Sequence, residues 1–285
     1  MFRNKSTLLK ANKKTVASMG LLSFEAAGLM LFKDNVYRKV YKISRKDKVM
    51  ILDNEIKDCN YRFFYISAEG DMHLNYLSIS IIEESYQEAG EQFEKIEEKY
   101  DITPLDFASI CNQILGIRDK DYEFNLSDVM RRKMDLVKYL EKDDKSDESN
   151  FQEIEINVYP NACQSSIISL LKKIGLPYIL MIEEEDISGD DIKAITRQLE
   201  EIYQKAPDID GEYIFGKVRL MLFSLDEETL RIASDTIIDR LSKEGFVSAV
   251  KSVNDIDSYR FMTSIGLMGE SFNTVVSSAT LKAFI

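Results

Sequence analysis

One histidine, three cysteines, an acidic run and a pair of close glycines are the residues of this chain whose chemistry and spacing could serve a reaction. His73 is the sole imidazole. A Ser-His-Asp arrangement could use no other, and no G-x-S-x-G accompanies it. Cys59, Cys111 and Cys163 are far apart, with no C-x-x-C, and a zinc site needs three or four converging ligands. Widely spaced cysteines in odd number read as reduced thiols of a cytosolic protein. None of the 12 glycines opens G-x-x-x-x-G-K-[ST] or G-x-G-x-x-G. The nearest stretch, Gly266-Leu-Met-Gly269, lacks the lysine that would reach a phosphate and reads as a turn.

The acidic run EEEDISGDD, residues 183–191, admits two readings. Carboxylates gathered at a strand end can hold a divalent cation, which would fit a small metal-dependent hydrolase. They can equally be helix-entry charges, since Asp190 and Asp191 fall in the first turn of a helix, where the macrodipole favours negative charge.

The elements that must position these groups are legible from periodicity. LMLFKDNVYRKVYKI, residues 29–43, reads as a hairpin turning at Lys33-Asp34-Asn35, with a period of two in its second arm. A second strand pair follows, YRFFYIS and LNYLSISII. Ser85 and Glu88 have the capping-box spacing, and Ala89, Phe93, Ile96 and Tyr100 then share one helical face. Thr103-Pro104 reads as the start of the next helix, with Thr as cap and Pro in the first turn. That helix ends near Leu115 and Gly116, and a third runs over residues 126–141.

Strand and helix then alternate. A strand at residues 154–158 leads to a helix through Ile167, Ile168, Leu171 and Ile174. YILMI leads to a helix through Ile192, Ile195, Leu199 and Ile202. KVRLMLF leads to a helix through Leu230, Ala233, Ile237 and Leu241, and FVSAVK closes as a strand. This predicts an α+β fold of two lobes, with mixed or antiparallel sheets covered by helices and ferredoxin-like split βαβ character in the second lobe. EKDDKSDESN, residues 141–150, has no apolar residue and marks the boundary. The lobes are residues 1–142 and 151–285, joined by a charged linker at 143–150.

An apolar fraction of 45% over 285 residues suffices for a sizeable core. The net charge of −12 is uneven: residues 1–50 hold 12 Lys or Arg against three acids, a balance of +9, and the other 235 residues sum to −21. So acidic a body disfavours nucleic acid, whose binding rests on phosphate neutralisation. The basic leader suits anionic lipid or an acidic partner. Lys5, Lys10, Lys13, Lys14, Arg38 and Lys39 are its candidate contact residues. The start lacks a signal-peptide core, and no run of apolar residues is long enough to span a membrane.

The order of segments resembles the N-terminal region of the conjugative-transfer, type IV secretion ATPases (the CagE/TrbE/VirB family). The matching positions are Met19-Gly20-Leu21, Gly28-Leu29, and the strand around Tyr37 and Tyr41. LNYLSISIIEESYQEAGEQFEKIEEKY is similar to that family's strand-then-helix segment. The tail, Ser277-Ser278-Ala279-Thr280-Leu281-Lys282-Ala283-Phe284-Ile285, is similar to the polar turn and apolar stretch closing the region. The sequence departs near Gly266, where Ile265-Gly266-Leu267 stands in place of Leu-Pro, and lacks an Arg upstream of the polar turn.

The resemblance implies a non-catalytic docking and assembly domain, without cofactor or metal, that precedes a RecA-like ATPase motor. On this reading Ile285 lies at the crossing into the motor. Its implied partners are inner-membrane secretion components, the motor and neighbouring copies in a homo-oligomer. Its implied place is the cytoplasmic face of the membrane, without direct nucleic-acid contact. The alternatives left by the residues themselves are a free-standing adaptor or immunity-type binding protein and the metal-dependent hydrolase.

Overall fold

The computed structural model describes residues 8–44, 59–67, 73–118, 123–127, 136, 140, 149–160, 167–185, 213–268, 275–277, 280, 281 and 284. The fold is α+β, and the chain divides into two compact units. Unit 1 comprises residues 1–64, 74–146 and 260–270; unit 2 comprises residues 65–73, 147–259 and 271–285. One passage between units, at 146/147, falls within the charged stretch. The assignment of 65–73 to unit 2 and of 260–270 to unit 1 has no counterpart in the sequence reading.

Unit 1 opens with β1 (Leu9–Lys10), α1 (Lys13–Met19), β2 (Leu21–Phe24), β3 (Met30–Phe32) and β4 (Val36–Lys42). β5 (Asn60–Ser67) and β6 (His73–Ile82) follow, the part of each outside residues 65–73 belonging to this unit. The strand order is β1-β2-β3-β4-β6-β5. The expected hairpin is β3 and β4, with Met30 opposite Arg38 and Leu31 opposite Tyr37. Its turn works because Asp34 and Asn35, at φ 60° and 57°, are residue types that tolerate the left-handed region. α1 is absent from the sequence reading; Asn12 caps it by accepting from the Thr15 amide at 2.9 Å.

α2 (Tyr86–Tyr100) has the expected Ser85 cap, but the Glu88 carboxylate accepts from the Ser85 hydroxyl instead of the Ser85 amide that a full capping box uses. The Glu88 amide donates to Ser85 Oγ at 3.3 Å, and Ser85 Oγ donates to Glu88 Oε2 at 2.7 Å. Its buried residues are Ala89, Phe93, Ile96 and Tyr100. α3 (Phe107–Ile117) starts later than Thr103-Pro104 suggests. Pro104 bridges to Tyr41 and the Leu105 amide donates to the Val40 carbonyl, which holds this stretch extended. Asp106 is the cap instead, accepting from the Ser109 amide at 2.7 Å. Phe107 then stacks on Phe24 with ring centroids 3.8 Å apart. Most of the helix expected over 126–141 lies outside the described residues.

Unit 2 contains β7 (Asn150–Val158), α4 (Ile167–Ile174), β8 (Tyr178–Glu185), β9 (Tyr213–Ser224), α5 (Glu227–Lys243) and β10 (Val247–Val250). The strand order is β8-β9-β7-β10, and each neighbouring pair is antiparallel. β9 therefore lies between β7 and β8, which run parallel to each other: this is the split βαβ arrangement expected of a ferredoxin-like lobe. The helix expected through Ile192 lies outside the described residues. α5 packs on β7, β9 and β10, burying Leu230, Ala233, Ile237 and Leu241.

α6 (Ile256–Thr263) and β11 (Val275–Ser277) complete the described elements. β11 pairs with the start of β9. The apolar tail packs into this unit: Phe284 meets the edges of Phe246 and Tyr159, and Leu281 lies against Gly216.

Gly28 sits at φ +95°, where an added Cβ would come 2.1 Å from the Leu105 carbonyl oxygen. Gly28→Ala should cost about 3 kcal/mol of stability in urea unfolding, from left-handed strain and overpacking. Gly90, in α2 with open space around it, is the control: Gly90→Ala should stabilise by about 1 kcal/mol.

Candidate docking surface

The six cations singled out from the sequence separate into distinct environments. Lys10 in β1 and Lys13 at the start of α1 are exposed. Lys14 lies in α1; Lys5 lies outside the described residues. Arg38 and Lys39 are not outward contact groups. Arg38 is 5% exposed; its Nε donates to Ser80 Oγ at 2.8 Å, its Nη1 donates to the Gly266 carbonyl, and its guanidinium lies 4.4 Å from the Phe32 ring centre. Lys39 pairs with Glu97 at 2.7 Å. The two are consecutive in β4 and so point to opposite faces: Lys39 meets α2 through Glu97, and Arg38 meets Ser80, Phe32 and the Gly266 carbonyl, so neither faces water.

α1 carries no acidic residue in its first turn, and Lys13 and Lys14 stand there. Positive charge at a helix N-terminus opposes the macrodipole by a few tenths of a kcal/mol. The exposed charge of Lys13 therefore weakens α1 slightly.

Other titratable groups are engaged in holding unit 2 together. Period-two alternation places Glu153 and Glu155 of β7 on the same sheet face as Lys217 and Arg219 of β9. Arg219 grips Glu153 through two nitrogens, the Nη2–Oε2 bond being 3.1 Å, and both side chains are buried. Lys251 Nζ adds a contact to Glu153 at 3.4 Å, and Lys217 pairs with Glu155. Burial pushes the Glu153 carboxyl up. The Arg219 hydrogen bonds and charge, aided by Ser258 and Lys251, outweigh burial and hold it below the usual carboxylate range. The sequence carried a signal for this network: Glu153 and Glu155 alternate with Ile154 and Ile156, and Lys217 and Arg219 with Val218 and Leu220.

The groups considered for catalysis are dispersed. His73 is exposed and its ring stacks on Tyr65 at 5.4 Å, and Tyr65 in turn stacks on Tyr178 at 5.7 Å. Cys59 and Cys111 are buried. Burial, with Asp106 nearby, pushes the Cys111 thiol far up and keeps it protonated. Glu183 and Glu184 belong to β8, where Glu183 is opposite Lys217. Residues 186–191 of the acidic run lie outside the described residues. Among the described residues no three His, Cys, Asp or Glu side chains come together as a metal site. None of the described helices is long and apolar enough to cross a membrane.

No family model matches the chain, and no curated protein matches it. Among solved structures, "Structure of BBE-like #28 from Arabidopsis thaliana" aligns at a TM-score of 0.37 and 11% identity, over 78% of this chain and 45% of that chain. The chain thus spans less than half the length of that neighbour, and a likeness this slight carries no argument.

Removing the carboxylate that faces a buried guanidinium costs about 3–5 kcal/mol, whereas replacing both partners by apolar groups is far milder. Glu153→Gln should therefore destabilise strongly in urea unfolding at pH 7, and Glu153→Leu with Arg219→Met should recover most of the loss. Because the Glu153 carboxyl is held below 4.5, its contribution is complete above that pH and disappears as pH falls through the lowered value. The stability difference between the native protein and Glu153→Gln should shrink in the same window.

Proposed function

We propose that this chain is a non-catalytic docking and assembly module of the kind found at the N-terminus of conjugative-transfer ATPases. It meets the cytoplasmic face of a membrane and the secretion components there, and leaves nucleotide chemistry to a separate motor. The observation that carries this reading is the exposure of Lys10 and Lys13 on the first two elements of unit 1. In the same unit, Arg38 and Lys39 are engaged internally. Lys13 stands at a helix start where its charge opposes the macrodipole, and Lys10 is exposed on the strand just before it, so an outside anion is the partner that makes their placement favourable. The segment resemblance around Gly20, Gly28 and Tyr37 supports the same assignment, and the uneven charge gives the docking face its polarity.

The test is co-sedimentation with vesicles containing phosphatidylserine. Each cation near an anionic surface contributes about 1 kcal/mol. Lys10→Ala with Lys13→Ala should therefore weaken binding roughly 30-fold, with a larger loss at low ionic strength than at high. Equal binding by the variant and the native protein at low salt would overturn the assignment.

A further inference from the structure

The stretch from Arg260 to Met268 lies within residues 260–270 of unit 1, although residues 147–259 and 271–285 belong to unit 2. Its main chain is held chiefly by side chains from three separate elements. Arg38 of β4 donates to the Gly266 carbonyl, and Arg62 of β5 donates to the Met268 carbonyl. Arg118, which follows α3, donates through Nη2 to the Arg260 carbonyl at 3.1 Å and through Nε to Thr263 Oγ1 at 2.8 Å. The Arg62 guanidinium also lies 5.6 Å from the centre of the Phe261 ring. Met262, Ile265 and Leu267 are fully buried.

Two features set this stretch apart from a permanently fixed core segment. The first is backbone strain. Ile265 and Gly266 have φ of 44° and 94°, and the Leu267 amide closes the turn on the Ser264 carbonyl at 3.0 Å. Positive φ at both central residues is the pattern of a type I′ turn, which favours Asn-Gly. A β-branched isoleucine in that conformation is an outlier that persists only when its surroundings enforce it, and such residues gather at clamps and switches. Gly266 is likewise pressed against Ser78, whose Oγ would lie 2.3 Å from an added Cβ. The second feature is self-sufficiency. Ser264 Oγ donates to the Phe261 carbonyl at 2.7 Å and accepts from the Met268 amide at 3.3 Å, so these bonds travel with the segment if it leaves.

We propose that residues 260–268 form a releasable strap, which opens as a unit while the strands of unit 1 remain folded. The arginine forks and the buried Ile265 side chain close it; the strained turn drives it open. Opening uncovers Ser78, Phe64 and the guanidiniums of Arg38 and Arg62. This device stands independently of the docking assignment, because it uses neither Lys10 nor Lys13.

Native-state hydrogen exchange of the full chain, read by mass spectrometry across a urea series below the unfolding transition, tests it. Amides of residues 262–268 should exchange at least tenfold faster than those of β4 and β6, with a weaker urea dependence. Arg62→Lys keeps the charge and removes the fork. It should speed exchange of the strap about tenfold and leave β7 and β9 unchanged. Strap amides that exchange together with β4 and β6, or an Arg62→Lys variant that speeds all segments equally, would refute the proposal.

Discussion

A buried guanidinium must find several acceptors in a fixed plane, and this requirement organises both units of the chain. Among the described residues the buried cations are all arginines: Arg38, Arg62, Arg118 and Arg219. Arginine suits the interior because its planar fork presents donors without needing to lose its proton, while an ammonium is more strongly hydrated. In unit 1 three of these forks face backbone carbonyls, and the segment that supplies them is distant in sequence. In unit 2 the fork of Arg219 faces Glu153, and the pair ties β7 to β9, the two strands at the centre of that unit's order. Removing a fork would leave acceptors without donors in a place water does not reach, so the cost exceeds that of one hydrogen bond.

The same requirement separates cations that build from cations that face outward. Arg38 and Lys39 are adjacent in a basic stretch, and by composition they belong with Lys10 and Lys13. Packing divides them: α2 lies against β4 and brings Glu97 to Lys39, whereas β1 and the start of α1 expose their lysines. The basic leader is thus partly scaffold and partly surface.

Local patterns were readable wherever the physics is local. Ser85 and Glu88 form their cap within four residues, and the period-two arms around Asp34 and Asn35 form their hairpin. The alternation of strands and helices after residue 150 anticipated the order that puts β9 between β7 and β8. Thr103-Pro104 misled because a long-range bridge to Tyr41 holds that stretch extended, and α1 was missed because a seven-residue helix leaves little periodicity. Arg118 and Thr263 are 145 residues apart, and no window on a single sequence relates them. The strap was therefore invisible except as a glycine turn.

What distinguishes a docking module from a bare scaffold is whether its outward lysines meet an anionic surface. Lysine acylation footprinting of the full chain, with and without phosphatidylserine vesicles, reads this directly. The account predicts that Lys10 and Lys13 lose reactivity on vesicle binding while the exposed Lys172, Lys173 and Lys243 of unit 2 keep theirs. Unchanged reactivity at Lys10 and Lys13, or protection centred on the lysines of unit 2, would contradict it.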